Sequence, residues 1–162
     1  MVSRYLSGIF LASLAAASIS VEARGSFVGR EMPPTPDGCS SRENMLLDSS
    51  ESFAYERLVC SGSEVVLLQR FKERRGKRAY WEVVDELHLP ASTSRKHPLE
   101  IPLCSSSAHL NDAIFAIGRW TMTKDGSFVA KGISNAWRFN LAKGKIETIS
   151  PQGVTCEGDN PD

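Results

Sequence analysis

The sequence predicts a single all-β domain, an antiparallel sandwich or small barrel of about seven to eight strands carrying two disulfides. Three observations lead there. Short runs of alternating apolar residues are separated by turn residues at intervals of roughly 8 to 15 residues. No long stretch shows the 3.6-residue periodicity of an amphipathic helix. Four cysteines lie downstream of an apolar N-terminal segment, as in exported disulfide-bonded domains.

Each element has its own warrant. Residues 52–60 place Phe53, Tyr55 and Val59 on one face and Leu58 on the other. Residues 64–72 contain Val65-Val66-Leu67-Leu68, a short continuous apolar run expected of a strand buried on both faces. The polar stretch Glu73-Arg74-Arg75-Gly76-Lys77 then separates this run from Ala79, Trp81, Val83, Leu87 and Leu89, which alternate with Tyr80, Glu82, Val84, Glu86 and His88. Two β-rich runs around a short glycine-containing loop predict a hairpin. Asp85 interrupts the apolar row, which points to burial, a bulge or a basic partner.

Pro90, Pro98 and Pro102, with the intervening serines and threonine, predict a loop. One helical turn is expected within residues 105–111. Residues 113–122 form the next strand, with Ile114, Ala116, Gly118, Trp120 and Met122 on one face. Thr123-Lys124-Asp125-Gly126 is a hairpin turn, because Asp-Gly suits positive φ. Residues 128–133 return, and Trp137, Phe139 and Leu141 continue the alternation. Lys143-Gly144 turns into residues 145–149, and Pro151 and Gly153 precede the closing Val154-Thr155-Cys156. Trp120, Trp137, Phe139, Phe115 and Phe128 are expected in the core.

The ends are different in kind. Residues 1–23 have the form of a secretory signal peptide: Arg4, an apolar and small-residue run from Leu6 to Ser20, and a small-x-Ala site at Val21-Glu22-Ala23. The run is shorter than the roughly 20 residues of a membrane span, so cleavage is expected and no anchor afterwards. Residues 24–38, with Gly25, Gly29, Pro33, Pro34, Pro36 and Gly38, predict a flexible tether. The β-domain is expected over 39–157 and a frayed C-terminus over 158–162. Periplasmic or secreted localisation follows from the leader.

Cys39, Cys60, Cys104 and Cys156 allow three connectivities. Pairing Cys39 with Cys60 and Cys104 with Cys156 closes a compact loop in each half. No two cysteines lie within two to four residues of one another and no His stands at ligand spacing, which argues against zinc. Lys plus Arg and Asp plus Glu each number 19, so net charge predicts neither nucleic acid nor an anionic membrane as partner.

Local charge is less even. Arg70, Lys72, Arg74, Arg75, Lys77 and Arg78 crowd the first hairpin with Glu73 alone among them. Such a knob suits an acidic protein surface or another acidic ligand. It also suits a hairpin that charges merely keep soluble.

Catalytic candidates are sparse. Ser105-Ser106-Ser107, His109 and Asp112 are close in sequence, but triads are recognised by geometry and no Gly-x-Ser-x-Gly elbow is present. Glu82, Asp85 and Glu86 share one strand, where Glu82 and Glu86 are expected to point the same way and Asp85 the other. The solvent face of a sheet is their expected role. His88 and His97 show no motif. No phosphate-cradling glycine loop, dinucleotide fingerprint or metal motif appears, so no cofactor, metal or catalytic residue is expected.

The segment Phe53-Ala54-Tyr55-Glu56-Arg57-Leu58-Val59-Cys60-Ser61-Gly62-Ser63 resembles small periplasmic lysozyme inhibitors, disulfide-bonded β-barrels in which a strand ending in cysteine precedes a polar turn. The serine-glycine-x-x-tyrosine segment that fills the lysozyme cleft in that class has no counterpart here. The reading is an exported non-catalytic binding protein, in the manner of an inhibitor or immunity protein against a cell-wall-active enzyme. The alternative is a small secreted hydrolase using His109, Asp112 or the acids near Glu82.

Overall fold

The computed structural model describes residues 26–89, 100–124 and 127–158. The expected signal peptide, His97 with most of its loop, Asp125-Gly126 of the expected turn, and residues 159–162 lie outside them. Ten strands are present among the described residues: β1 (Glu31–Met32), β2 (Cys39–Leu46), β3 (Phe53–Cys60), β4 (Ser63–Arg75), β5 (Arg78–His88), β6 (Glu100–Ser106), β7 (Ile114–Met122), β8 (Phe128–Asn140), β9 (Lys145–Ile149) and β10 (Val154–Gly158). They form two antiparallel five-stranded sheets. The N-terminal sheet has the order β1-β5-β4-β3-β2 and the C-terminal sheet the order β10-β6-β7-β8-β9. A further β10–β8 pairing closes β6, β7, β8 and β10 into a small barrel. The all-β prediction holds, and both disulfides, Cys39–Cys60 and Cys104–Cys156, are formed as expected.

The main core lies between the sheets. Tyr55, Val66 and Leu68 from one meet Phe115, Ile117, Trp137 and Phe139 from the other. Tyr55 stacks on Phe139 with ring centroids 5.6 Å apart, and Phe115 lies 5.2 Å from Trp137. The apolar run in β4 divides as its period-two geometry requires. Val66 and Leu68 face the other sheet, while Val65 and Leu67 face outward with Leu58, Val83 and Met32. Buried Tyr55 donates its hydroxyl to Glu43 Oε1 at 2.6 Å, which satisfies a polar tip inside an apolar layer. Burial and the Glu43 carboxylate hold the phenol well above its usual range.

Five expectations need correction. Residues 26–38 are a packed strap and not a free tether: β1 pairs with β5, and Met32 is only 2% exposed against Leu58, Leu67 and Val83. Prolines exclude a regular element here but not packing, and β1 needs just two residues. The proline-containing stretch 100–106 is strand β6. Its pairing with β7 is irregular between Glu100 and Cys104, so Pro102 falls where the ladder is already broken. A turn covers 107–111 in place of a helical one, with His109 N bonded to Ser106 O at 3.0 Å.

The fourth correction concerns β5. Leu68 stands opposite Asp85 and Gln69 opposite Val83, so Val84 is an extra residue in a bulge. A one-residue slip reverses every later side chain. Trp81 and Val83 therefore face outward while Leu87 and Leu89 face the other sheet. Glu82 and Asp85 come to one face and Glu86 to the other, contrary to simple alternation. Asp85, turned toward the second sheet, accepts the Ile146 backbone N–H at 2.8 Å and Lys145 Nζ at 3.2 Å.

Residues 128–140, expected as two strands, form one bent strand. Opposite the single residue Gly118, β8 carries three, Gly132, Ile133 and Ser134. Gly132 has φ 61°, and a Cβ on Gly118 would meet Ala130 Cβ at 3.1 Å and Ile133 Cγ1 at 3.2 Å. Both glycines are thus required by the bend. The bend lets one half of β8 pair with β10 and the other with β9.

Candidate functional site

The basic hairpin becomes a projecting ribbon. Pairing between β3 and β4 ends at Phe53 opposite Arg70, whereas pairing between β4 and β5 continues to Arg75 opposite Arg78. A two-stranded ribbon of residues 71–80 therefore extends past β3, turning at Gly76-Lys77 with Gly76 at φ 62°. Residues 70–78 are all exposed.

The structure pairs much of the ribbon's charge. Arg70 Nη2 lies 2.9 Å from Glu82 Oε2, and Lys72 Nζ lies 2.8 Å from Glu31 Oε2. Arg75 grips both oxygens of Glu31 at 2.8 and 3.1 Å, also binds Glu73, and sits 4.2 Å from the centroid of the Tyr80 ring. Hydrogen bonds from Lys72 and then Arg75 hold the Glu31 carboxyl below its ordinary range. Arg74 reaches Glu51 only at 4.0 Å. Lys77 and Arg78 at the tip have no carboxylate partner among the described residues. The positive charge left over is thus concentrated at the tip, while Lys72 and Arg75, the latter next to the turn, reach back to Glu31 of the strap.

A second feature lies on the outward face of the N-terminal sheet. The strap runs from β1 at one edge to β2 at the other, and a cleft opens on each side of it. One, of about 320 Å³, adjoins Phe27, Pro36, Val65, His88 and the Cys39–Cys60 bridge. The other, of about 220 Å³, adjoins Met32, Leu46, Ala54, Trp81 and the buried pair Glu56 and Gln69. Nothing in the sequence marks this second cleft, because its parts come from β1, β2, β3, β4 and β5.

The candidate acids and histidines are held in structural contacts. Glu82 pairs with Arg70, Asp85 holds β9, and Glu86 accepts the Phe27 backbone N–H, Ser26 Oγ at 3.2 Å and His88 Nε2 at 3.1 Å. His109 Nδ1 lies 3.3 Å from Asp112 Oδ2 and 3.1 Å from Arg138 Nη1. When Arg138 donates to Nδ1, that nitrogen has no proton to give Asp112, so the acid does not orient the ring as in a triad. Ser105 Oγ is bonded to Thr155 Oγ1 at 3.1 Å. The hub missed in the sequence is Arg138, which also binds Glu147 Oε2 at 2.6 Å. Lys143, Asn140 and Arg138 together pull Glu147 down to about 2. No group of three or more metal-ligating side chains occurs among the described residues.

The fold and surfaces define a disulfide-bonded β-protein with a projecting cationic ribbon. Comparison with protein-family models, with curated proteins and with solved structures gives no match.

Proposed function

We propose that this is an exported, non-catalytic binding protein whose β4–β5 ribbon enters an acidic concavity on a partner protein. The observation that carries this reading is the ribbon itself, which extends past β3 and leaves Lys77 and Arg78 at its tip without a carboxylate partner among the described residues. The two disulfides suit an oxidising compartment. No helix among the described residues is long and apolar enough to cross a membrane. A cell-wall-active enzyme with an acidic cleft is the partner class that fits an inhibitor or immunity role.

The test begins with the purified, disulfide-bonded protein as bait in periplasmic or culture extract. Association of the captured partner is then timed with wild type and with the R74S/K77S/R78S variant. Arg75 is left in place because it anchors Glu31 of the strap. Tip charges act mainly on the association rate and are screened over a Debye length of about 8 Å. The variant is expected to associate several-fold more slowly, with a shallower salt dependence and an unchanged melting temperature. An unchanged rate and salt dependence would remove the ribbon from the interface. Cell-wall lysis by the protein alone, lost in His109→Ala with folding intact, would favour the hydrolase.

A further inference from the structure

Of the two clefts beside the strap, the one over Glu56 and Gln69 combines features that select a ligand chemistry. Glu56 is 9% exposed and Gln69 4%, so both lie almost wholly below the surface. Register places them on the outward face, with Ala54 and Leu58 of β3 and with Val65 and Leu67 of β4. Gln69 Nε2 donates to Glu56 Oε2 at 2.9 Å. That bond fixes the amide orientation and turns Gln69 Oε1 away from Glu56. Among the described residues neither Glu56 Oε1 nor Gln69 Oε1 has a protein partner, and neither is sealed from the cleft. Glu56 has no ion-pair partner among them.

The floor is therefore two acceptors, one of them on a carboxylate, with no cation among the described residues paired to it. A carboxylate so enclosed is costly without a charged donor. The walls are apolar: Met32 and Pro33 on the strap, Leu46 on β2, and Trp81, which packs T-shaped against Phe71 at 5.5 Å. Leu46 is 44% exposed and Phe71 38%, so the apolar surface continues out to the mouth. A ligand suited to this shape has an aliphatic stem and a positively charged head that donates hydrogen bonds. Between the two biological cations, the floor favours an ammonium. A guanidinium is best held by a carboxylate offering both oxygens, and Glu56 Oε2 is already engaged by Gln69. An ammonium needs only single acceptors, and its three donors match Glu56 Oε1, Gln69 Oε1 and the polar rim of Asn44 and Thr35. Trp81 adds an aromatic surface attractive to a cation.

We propose that this cleft binds a protonated primary amine on an aliphatic stem, the group carried by a free alkylamine and by a lysine side chain. The site is separate from the ribbon tip and does not depend on the partner proposed there.

The experiment titrates the purified, disulfide-bonded protein with n-butylammonium, n-butanol, n-butylguanidinium and a short lysine-containing peptide. NMR follows the Trp81 indole N–H and the Gln69 side-chain amide. Saturable shifts are expected with n-butylammonium, and binding at least tenfold weaker with the alcohol and with the guanidinium. Glu56→Gln, which keeps the shape and can still accept from Gln69, is expected to abolish the preference for amine over alcohol. Should that variant fail to fold, the ranking of the ligands on the wild-type protein still decides. A peptide that binds at least tenfold tighter than n-butylammonium assigns the cleft to a lysine on another protein, and equal binding assigns it to free amines. Equal binding of alcohol and amine, or a preference for amine that survives in Glu56→Gln, would overturn the proposal. So would the absence of saturable shifts at millimolar amine.

Discussion

The two sheets have five strands and one disulfide each, yet they cover their second faces by different means. The N-terminal sheet presents Leu58, Val65, Leu67 and Val83 outward and needs a separate cover, which Met32 and the strap provide. The C-terminal sheet covers itself. Its second face buries Ile114, Val154 and the Cys104–Cys156 bridge together with Ala116 and Ala136, as β8 bends at Gly132 and closes onto β10. The glycine bend thus lets one sheet roll onto itself, where the other relies on a lid. A lid leaves seams at its margins, and two clefts follow the strap.

This contrast can be broken most severely at the disulfides. Removing Cys104–Cys156 by a paired change to serine is expected to destabilise by about 4 kcal/mol, and removing Cys39–Cys60 by about 3 kcal/mol, from loop-closure entropy alone. The gap should widen further, because Cys156 is 2% exposed and a serine there buries a hydroxyl inside the barrel. Urea unfolding of the two paired variants measures it, and equal losses would mean that the barrel gains nothing from its internal bridge.

Next in size is the lid. Met32→Ala removes the side chain that closes the outward face and is expected to cost about 2–3 kcal/mol. Faster amide exchange should appear in the strap and spare the C-terminal sheet. Protection lost equally in both sheets would show that lid and barrel unfold as one.

A smaller effect is expected at the junction. Asp85→Ala leaves the Ile146 N–H without its acceptor and should cost about 1–2 kcal/mol. The loss should appear as exposure of β9, read by limited proteolysis or amide exchange at Ile146. Unaltered exchange there would mean the bulge is held by packing alone.

The smallest effect belongs to pH. Glu147 ionises in the folded protein at about 2, below its ordinary 4.5, because Lys143, Asn140 and Arg138 hydrogen-bond to it. A lowered carboxyl stabilises the fold above its unfolded value and loses that contribution as pH falls through the folded one. Wild type should therefore lose more melting temperature between pH 4.5 and pH 2 than Glu147→Gln, and the two curves should approach each other at the acid end. The pairs are surface ones, so added salt should shrink the difference. Parallel curves would show that the Arg138 network contributes nothing to stability.

Much of the strand pattern was legible because period-two alternation is local. The two-sided burial of Val65 to Leu68, the core position of Trp137 and Phe139, and the turns at Gly76 and Gly144 needed no knowledge of partners. The bulge at Val84 was visible only as an anomaly at Asp85, since a bulge is defined by the strand opposite. The strap was misread because prolines and glycines look the same in a free tether and in a segment pressed onto a sheet. Glu56 and Gln69 gave no signal, being ordinary polar residues thirteen positions apart.

By itself, the sequence determined the all-β class and the positions where the chain turns, because side-chain alternation and positive-φ glycines act within a few residues. The even cysteine count announced two bridges in the same way. Only the tertiary structure decided which face each residue takes beyond a bulge, that one sheet is roofed and the other rolled, and which charges meet. Those outcomes depend on what stands opposite, and strands distant in sequence become neighbours only once the sheets have formed.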